Sequence, residues 1–241
     1  MIVRRVHPEA DVVVDTDAPD AHERLDELYA VPATTWLRTN LITSVNGSVV
    51  GADGTSNPIS SRADRAILGA IRRTAELVLV GASSVRVEGY VFPRTADLAV
   101  LTRTGDLTGH KLADRRRDGR LLVLCPAAAA GTALRSLEGA DPEIVELDTA
   151  RGVEGAIGLL REAGYTRIVS EGGPDLAGQL LAARLVDELC VATGPVLSDR
   201  IVPPFGGAEV AFDRLSLEQL LLDDAGGTYA RWVTATGRAK R

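Results

Sequence analysis

The chain has 241 residues, of which 45% are hydrophobic, 25% charged and 4% aromatic, and its formal net charge is −6. This length can bury a large core, and the charge content is that of an ordinary globular protein. The acidic balance argues against nucleic acid and anionic membrane surfaces as partners, and no run reaches the roughly 18 apolar residues of a membrane-spanning helix.

Residues 1–33 are predicted to form an N-terminal arm with one possible edge strand and a short helix, ahead of a main region at 34–241 within a single domain. Leu25 and Leu28 have helical spacing in "DAHERLDELYAVP", and Pro32 ends that pattern. The stretch "TWLRTNLITSVNGSVV" predicts a strand, a turn at Asn-Gly and a second extended segment. The stretch "SSRADRAILGAIRRTA" predicts a helix with a Ser N-cap.

From residue 76 onward, short apolar runs alternate with helical segments near 132–139 and 152–163. The runs are "ELVLVG", "LAVLTR", "RLLVLCP", "EIVELD" and "RIVS", each typical of a strand buried on both faces. After residue 185, strand-like runs follow one another with little helix between them. The pattern predicts an α/β fold with a doubly wound, mostly parallel sheet and antiparallel C-terminal strands, which binds ligands at the carboxyl ends of its strands.

The stretch "RIVSEGGPDLAGQLL" joins a predicted strand to a predicted helix through a nearly bare backbone. Gly172 and Gly173 lack a Cβ, so the chain can turn sharply and a ligand can approach closely. Pro174 suits the first helical turn, and the N–H groups that follow favour an anion such as phosphate. A glycine-rich connection without any ligand explains this stretch equally well.

A second stretch of small residues, Gly81 to Ser84, follows the run "ELVLV". Its hydroxyls could bind phosphate or ribose, or could simply cap a helix. Two such connections at one sheet edge suggest a ligand with two phosphates, such as a dinucleotide, although the G-x-G-x-x-G fingerprint is absent. Arg103 follows another strand and could bind a ribose 2′-phosphate, which would favour NADPH over NADH. A solvent-exposed arginine is the alternative.

Several other chemistries have little basis in the sequence. The two cysteines, Cys125 and Cys190, lie in apolar runs typical of buried, reduced thiols. There is no Cys-x-x-Cys pair, and the three histidines are scattered, so no metal site is predicted. The G-x-S-x-G and Walker motifs are missing. The basic run at 114–120 is typical of a solvated loop. The N-terminus does not read as a signal peptide, and we expect a cytoplasmic protein.

Four stretches, in this order, carry a family resemblance. They are "TSVNGSVVGADGTSNPIS", "LGAIRRTAELVLVGASSVRVEGY", "RIVSEGGPDLAGQLL" and "RLVDELCVATGPVL". Over about residues 34–235 the chain resembles the RibD carboxy-terminal family, the pyrimidine reductases of riboflavin biosynthesis, and especially its stand-alone actinobacterial members. The resemblance implies a dihydrofolate reductase-like fold, hydride transfer from NADPH to a small heterocycle such as a 5-amino-6-ribosylaminouracil, and often a homodimer built through the last strands.

The same resemblance implies roles for individual residues. The cofactor contacts that it implies are Ile42, Thr43, Gly81, Ala82, Ser83, Ser84, Glu88, Gly172, Gly173, Pro174, Asp175 and Leu176. The substrate contacts that it implies are Ser56, Arg72, Arg94 and Glu171. The catalytic candidates are Asn46 and Glu88, with Glu88 or a bound water as the proton donor.

Two departures from the family pattern bear on the substrate. Asn46 stands where the family usually has Asp, so it keeps the turn but removes an ionisable group. The family's Asp-Asp-Pro reads Glu88-Gly89-Tyr90, which suggests a different pocket wall. Two alternatives therefore stay open. The first is a dihydrofolate reductase acting on a pteridine, and the second is a protein that binds NADPH without catalysis.

Overall fold

The computed structural model describes residues 1–112 and 119–241. Most of the basic run predicted to be a solvated loop, residues 114–118, therefore lies outside the described residues.

Within the described part of the chain, eleven strands form one sheet, and helices pack on both of its faces. The strands are β1 (Ile2–His7), β2 (Val13–Asp15), β3 (Trp36–Ser44), β4 (Leu77–Gly81), β5 (Asp97–Leu101), β6 (Leu121–Cys125), β7 (Glu143–Glu146), β8 (Arg167–Ser170), β9 (Glu188–Gly194), β10 (Ser216–Asp223) and β11 (Thr228–Val233). The helices are α1 (Ala21–Leu28), α2 (Arg62–Arg73), α3 (Ala82–Val87), α4 (Ala127–Ser136), α5 (Gly152–Glu162), α6 (Pro174–Ala182) and α7 (Ala235–Arg238).

The order of strands across the sheet is β2-β1-β10-β11-β9-β3-β8-β4-β5-β6-β7. The block from β9 to β7 is parallel, whereas β11, β10, β1 and β2 continue it with antiparallel pairs. The predicted fold class is confirmed. One detail differs: β9 is antiparallel to β11 but parallel to β3, because the crossover through α6 returns the chain to the amino edge before β9 begins.

The N-terminal segment extends this sheet. β1 pairs with β10, and β2 forms the outer edge next to β1. Val3 and Val14 are buried against α1, which packs in turn on α2. The segment predicted as an arm therefore adds two strands to the sheet, and its helix α1 covers the face on which Val3 and Val14 are buried.

Two local expectations need correction. After β3 the chain forms loops and hydrogen-bonds to residues 196 and 202, so no second strand follows the Asn-Gly turn. α4 begins at Ala127, five residues before the predicted start, because Pro126 in extended conformation ends β6 and opens the helix directly. The residues after Gly81 form the first turn of α3, and no side chain caps this helix.

Apolar side chains cover both faces of the sheet. α1, α2 and α4 bury one face, and α5 and α6 bury the other. Ser61 caps α2 by accepting a hydrogen bond from the N–H of Asp64, as its position predicted. Because the central strands β3, β8 and β4 are parallel, their carboxyl ends meet at one edge, and the residues that follow them are brought together there.

Candidate functional site

The two glycine-containing connections lie side by side. They follow β4 and β8, which are neighbours in the sheet. The N–H of Glu171 donates to the carbonyl of Leu79 over 3.0 Å, which joins the two connections at their base. A Cβ at Gly173 would lie 3.4 Å from the hydroxyl of Ser84. The two small-residue connections therefore lie at one edge of the sheet, as the sequence predicted.

The glycines at this edge differ in what they do for the fold. A Cβ at Gly172 would lie 2.6 Å from the side chain of Leu176, so packing demands glycine there. A Cβ at Gly81 would meet nothing within 4 Å, and one at Gly173 would make an ordinary contact with Ser84. The φ angles of Gly81 and Gly173 are −85° and −60°, which any residue adopts. Neither packing nor backbone conformation explains these two glycines, because the space beside Gly81 is open and a Cβ at Gly173 would contact only the Ser84 hydroxyl.

The first turn of α6 faces this open space. Pro174 occupies the start of the helix, and no side chain caps it. Its first N–H groups receive no side-chain acceptor, and the helix dipole favours an anion beside them. Asp175 is exposed and Leu176 is buried. Arg103 follows β5, next to β4, and is exposed with no hydrogen bond or ion pair to any described residue.

The carboxyl end of β3 lies next to these connections, because β3 pairs with β8. Thr43 is buried, and Ile42 is partly buried against the cluster that includes α2. Ile42 therefore points to the α2 side of the sheet. Glu171 points to the same side, because its carboxylate binds a side chain of α2.

That carboxylate forms a compact cluster with Arg72 and Tyr90. The guanidinium of Arg72 donates to both oxygens of Glu171, over 2.7 and 2.6 Å. The Tyr90 hydroxyl contacts both partners: it donates to Glu171 over 2.6 Å and accepts from Arg72 over 2.8 Å. The side chains of Glu171 and Arg72 are 7% and 20% exposed, so the cluster is shielded but reachable.

Electrostatics and burial shift the pKa values of two members of this cluster, Arg72 and Tyr90. Burial alone would lower the pKa of Arg72, but the adjacent Glu171 carboxylate outweighs it and raises that pKa. Burial, reinforced by the Glu171 charge, raises the pKa of Tyr90 well above its ordinary value. At neutral pH the site therefore presents a charged Arg72 guanidinium and a neutral Tyr90 phenol beside Glu171.

Ser56 and Glu88 also meet, although 32 residues separate them. The Ser56 hydroxyl donates to Glu88 over 2.9 Å, and the Ser56 N–H adds longer bonds. This contact ties the loop after β3 to the end of α3. Asn46 has a different environment: its side-chain oxygen accepts from Ser44 and from the Ser198 N–H, and its amide donates to the Ser198 carbonyl. Asn46 thus joins two loops, and its polar atoms are engaged by the protein.

Arg94 is not brought to this edge. It lies with Glu76, Asp97, Arg120 and Tyr165 around a cleft of about 640 Å³. Those residues stand at or before the amino ends of β4, β5, β6 and β8, which is the opposite edge of the sheet. Arg94 follows α3 by seven positions, and by then the chain has returned to the amino edge, where β5 begins. The sequence pattern did not predict this return.

The sequence analysis did not predict the contacts of three residues in this region, although it had placed Tyr90 in a pocket wall. Tyr90 completes the Arg72–Glu171 cluster, and Ser198 anchors Asn46. Asp64, on α2, accepts a hydrogen bond from the Ser60 hydroxyl over 2.7 Å. The spacing of eight residues between Asp64 and Arg72 could have predicted that both lie on the same side of α2.

Comparisons with known proteins agree with this architecture. A model of the RibD C-terminal domain matches residues 35–226. The chain belongs to the RibD C-terminal domain family. No functionally curated protein matches the sequence.

Solved structures share the fold of this RibD-family chain at low sequence identity. A pyrimidine reductase-like protein from Corynebacterium diphtheriae has a TM-score of 0.75 and 23% identity, over 87% of this chain and 98% of its own. A diaminohydroxyphosphoribosylaminopyrimidine deaminase/5-amino-6-(5-phosphoribosylamino)uracil reductase from Thermotoga maritima has a TM-score of 0.68 and 17% identity, over 84% of this chain and 57% of its own. The riboflavin biosynthesis reductase Rib7 of Saccharomyces cerevisiae has a TM-score of 0.64 and 13% identity, over 90% of this chain and 100% of its own.

Two negative findings apply to the described part of the chain. No helix there is both long and apolar enough to cross a membrane. The same residues contain no group of three or more His, Cys, Asp and Glu side chains arranged to hold a metal ion. Cys125 and Cys190 are buried free thiols, as predicted.

Proposed function

We propose that this RibD-family protein is an NADPH-dependent reductase of a small heterocycle, most closely a pyrimidine of the 5-amino-6-ribosylaminouracil type. The single observation that carries the proposal is the open space beside Gly81 and Gly173, where glycine serves neither packing nor backbone conformation. A ligand that lies against the backbone explains both glycines. The names of the structural neighbours agree with this reading.

The residues at this edge fit a dinucleotide. The N–H groups at the start of α6, beside Gly173, would bind the pyrophosphate, and the hydroxyls of Ser83 and Ser84 would add donors. Arg103, exposed and without a partner among the described residues, would bind a ribose 2′-phosphate and so favour NADPH over NADH. The backbone of Ile42 and Thr43, at the end of β3, would lie beside the nicotinamide, because the side chains of consecutive strand residues point to opposite faces of the sheet. NADPH, when bound, supplies a hydride.

The substrate would lie on the α2 side, against Ile42 and the Glu171 cluster. Glu171 offers a carboxylate to an amine or a hydroxyl of the substrate, with Arg72 and Tyr90 fixing its orientation. Ser56 and Glu88 would close this side through their mutual hydrogen bond. We assign Asn46 a positioning role, since its polar atoms bind Ser44 and Ser198. Arg94 is left out because it lies at the opposite edge.

The test is the loss of NADPH absorbance in the presence of 5-amino-6-(5-phosphoribosylamino)uracil, with dihydrofolate in parallel. Steady turnover of the pyrimidine supports the proposal. Turnover of dihydrofolate alone would favour the pteridine reductase. Tight NADPH binding with no turnover of either compound would favour a protein that binds the cofactor without catalysis. Absence of NADPH binding to the folded protein would refute the reductase.

The Glu171→Gln variant tests the substrate side. We expect the KM for the pyrimidine to rise about 10-fold or more, because a hydrogen bond to a charged group contributes about 1.5–3 kcal/mol. The affinity for NADPH should stay within about twofold of the wild type, since the cofactor contacts the other side of this connection. Steady-state kinetics and calorimetry measure the two quantities.

Asp26→Asn is the matched control for Glu171→Gln. Asp26, on α1, forms a short ion pair with Arg73, the neighbour of Arg72 on α2, and this pair links the two helices. This control should leave the KM unchanged. Equal effects of the two substitutions would contradict a direct role for Glu171.

We also infer that the protein is a homodimer. The segment between β9 and β10 exposes apolar side chains, with Leu197 77%, Ile201 56% and Phe212 91% exposed. A second copy that covers this segment and the adjacent strands would remove this apolar surface from water. Sedimentation should give twice the mass of one chain, and Phe212→Asp should shift the protein towards the monomer. Leu134→Asp on α4 should not, and a monomeric wild type would contradict the inference.

A further inference from the structure

Asp64 stands out among the carboxylates near the site. It lies in the first turn of α2, and its side chain accepts from the hydroxyl of Ser60 over 2.7 Å. The hydroxyl of Ser61, not that of Ser60, caps the helix by binding the Asp64 N–H. The carboxyl group of Asp64 is therefore not needed to cap its own helix. The substrate-side roles described above do not include it.

The position of Asp64 on α2 directs it to the substrate side. Asp64, Leu68 and Arg72 form one row along the helix, beside the face that Ala63 and Ile67 bury. Arg72, at the far end of this row, binds Glu171. The start of α2 lies at the carboxyl edge of the sheet, because the helix follows β3 and leads back towards the start of β4. Asp64 is thus at the edge where the substrate would lie, on the same side as Ile42 and Glu171.

Burial is the main influence on the pKa of Asp64. Burial raises the pKa of this carboxyl, and the carboxylates of Glu171 beside β8 and Asp223 on β10 raise it further. The hydrogen bond from Ser60 and the charge of Arg65 act in the opposite direction without cancelling the rise. Tyr229 of β11 contacts the adjacent Ser61 and binds Asp223.

We propose that Asp64 is the general acid that delivers a proton to the substrate, an assignment that rests on the proposed reductase function. Reduction of a carbon–nitrogen or carbon–oxygen double bond places a hydride on carbon and a proton on the heteroatom. The hydride comes from the nicotinamide cofactor, and the proton comes from the carboxyl O–H of Asp64. The carboxylate that remains takes a new proton from water, so atoms and electrons balance.

This assignment differs from the expectation for Glu88. Both oxygens of Glu88 are bound by Ser56, and Glu88 lies at the end of α3. Glu88 therefore holds the loop after β3 in place. Asp64 receives one hydrogen bond, from Ser60, and its second oxygen has no described donor. That oxygen remains able to carry the transferable proton.

The experiment compares the wild type, Asp64→Asn and Glu23→Gln, which removes an exposed carboxylate from the first turn of α1. NADPH affinity, measured by calorimetry, should be the same in all three. With 5-amino-6-(5-phosphoribosylamino)uracil, Asp64→Asn should lower kcat about 100-fold or more. The wild-type rate should fall as pH rises through the pKa of the acid, and this limb should be absent from the residual activity of Asp64→Asn.

Infrared titration supplies a readout that does not need turnover. The wild type should show the carbonyl band of a protonated carboxyl that titrates above the ordinary value of about 3.9, and Asp64→Asn should lack it. If the wild type binds NADPH but does not turn over the pyrimidine, the proposal of a pyrimidine substrate is wrong. The infrared band then remains as the test of the assignment of Asp64. An unchanged kcat and pH profile in Asp64→Asn, or the absence of the band from the wild type, would overturn the assignment.

Discussion

The Gly173→Val variant is expected to fold like the wild type and to bind NADPH about 100-fold more weakly. The added Cβ would meet only the Ser84 hydroxyl, at 3.4 Å, and the backbone at this position has an ordinary φ of −60°. The γ-methyl groups would occupy the space in which the pyrophosphate is proposed to lie. Calorimetry with NADPH and NADH measures the loss, and thermal unfolding reports on the fold.

Substitutions at two other glycines serve as controls that distinguish a loss of ligand binding from a loss of stability. Gly172→Ala should destabilise the protein, because its Cβ would lie 2.6 Å from Leu176. Gly158→Ala, on α5 and remote from the site, should change neither stability nor affinity much, because its nearest neighbour is a guanidinium atom 3.9 Å away. An NADPH affinity of Gly173→Val equal to that of the wild type would remove the main support for the cofactor site.

The Glu188→Gln variant is expected to lose about 3–5 kcal/mol of unfolding free energy. Glu188 is fully buried on β9 and binds the guanidinium groups of Arg38 and Arg231. Trp36 donates a further hydrogen bond to it over 2.8 Å. Removal of the single carboxylate would leave two buried cations without a counter-charge. Denaturant unfolding measures the loss.

The same carboxylate predicts an acid sensitivity. Burial opposes its ionisation, but Arg38 and Arg231 outweigh burial and lower the pKa of Glu188 to about 2. The stabilisation is therefore complete above the ordinary glutamate pKa of about 4.3 and is lost as pH falls through about 2. In Glu188→Gln this part of the pH dependence of unfolding should disappear.

A surface ion pair provides the control for Glu188. Glu143 binds Arg120 through both oxygens, but the two side chains are 53% and 48% exposed. Glu143→Gln should therefore cost less than about 1 kcal/mol. A loss as small as this in Glu188→Gln would contradict the proposed role of the buried network.

Patterns within the chain predicted most of the central sheet. The apolar runs that became β4, β6 and β8 are short and nearly continuous, which is what a strand covered on both faces requires. The glycine-rich connection after β8 was visible for the same reason, because glycine and proline determine local backbone geometry. The family was recognisable from motifs that follow one another in order.

Long-range pairing was beyond these patterns. β1 joins the sheet beside β10, and Val3 opposes Asp223 there. Glu188 meets Arg38 across 150 residues, and Glu171 meets Arg72 across 99. Periodicity states which side of an element is apolar, but it does not state which distant element will cover that side.

The sequence by itself determined the fold class, the family and the two small-residue connections, because each depends on local backbone preference and on the order of elements along the chain. The tertiary structure decided that a Cβ would meet nothing at Gly81 and only Ser84 at Gly173, that Arg94 lies at the far edge, and that Asp64 lies on the side of Glu171. Those facts depend on which strands become neighbours and on which edge each loop emerges from. The burial of all the elements together selects that arrangement.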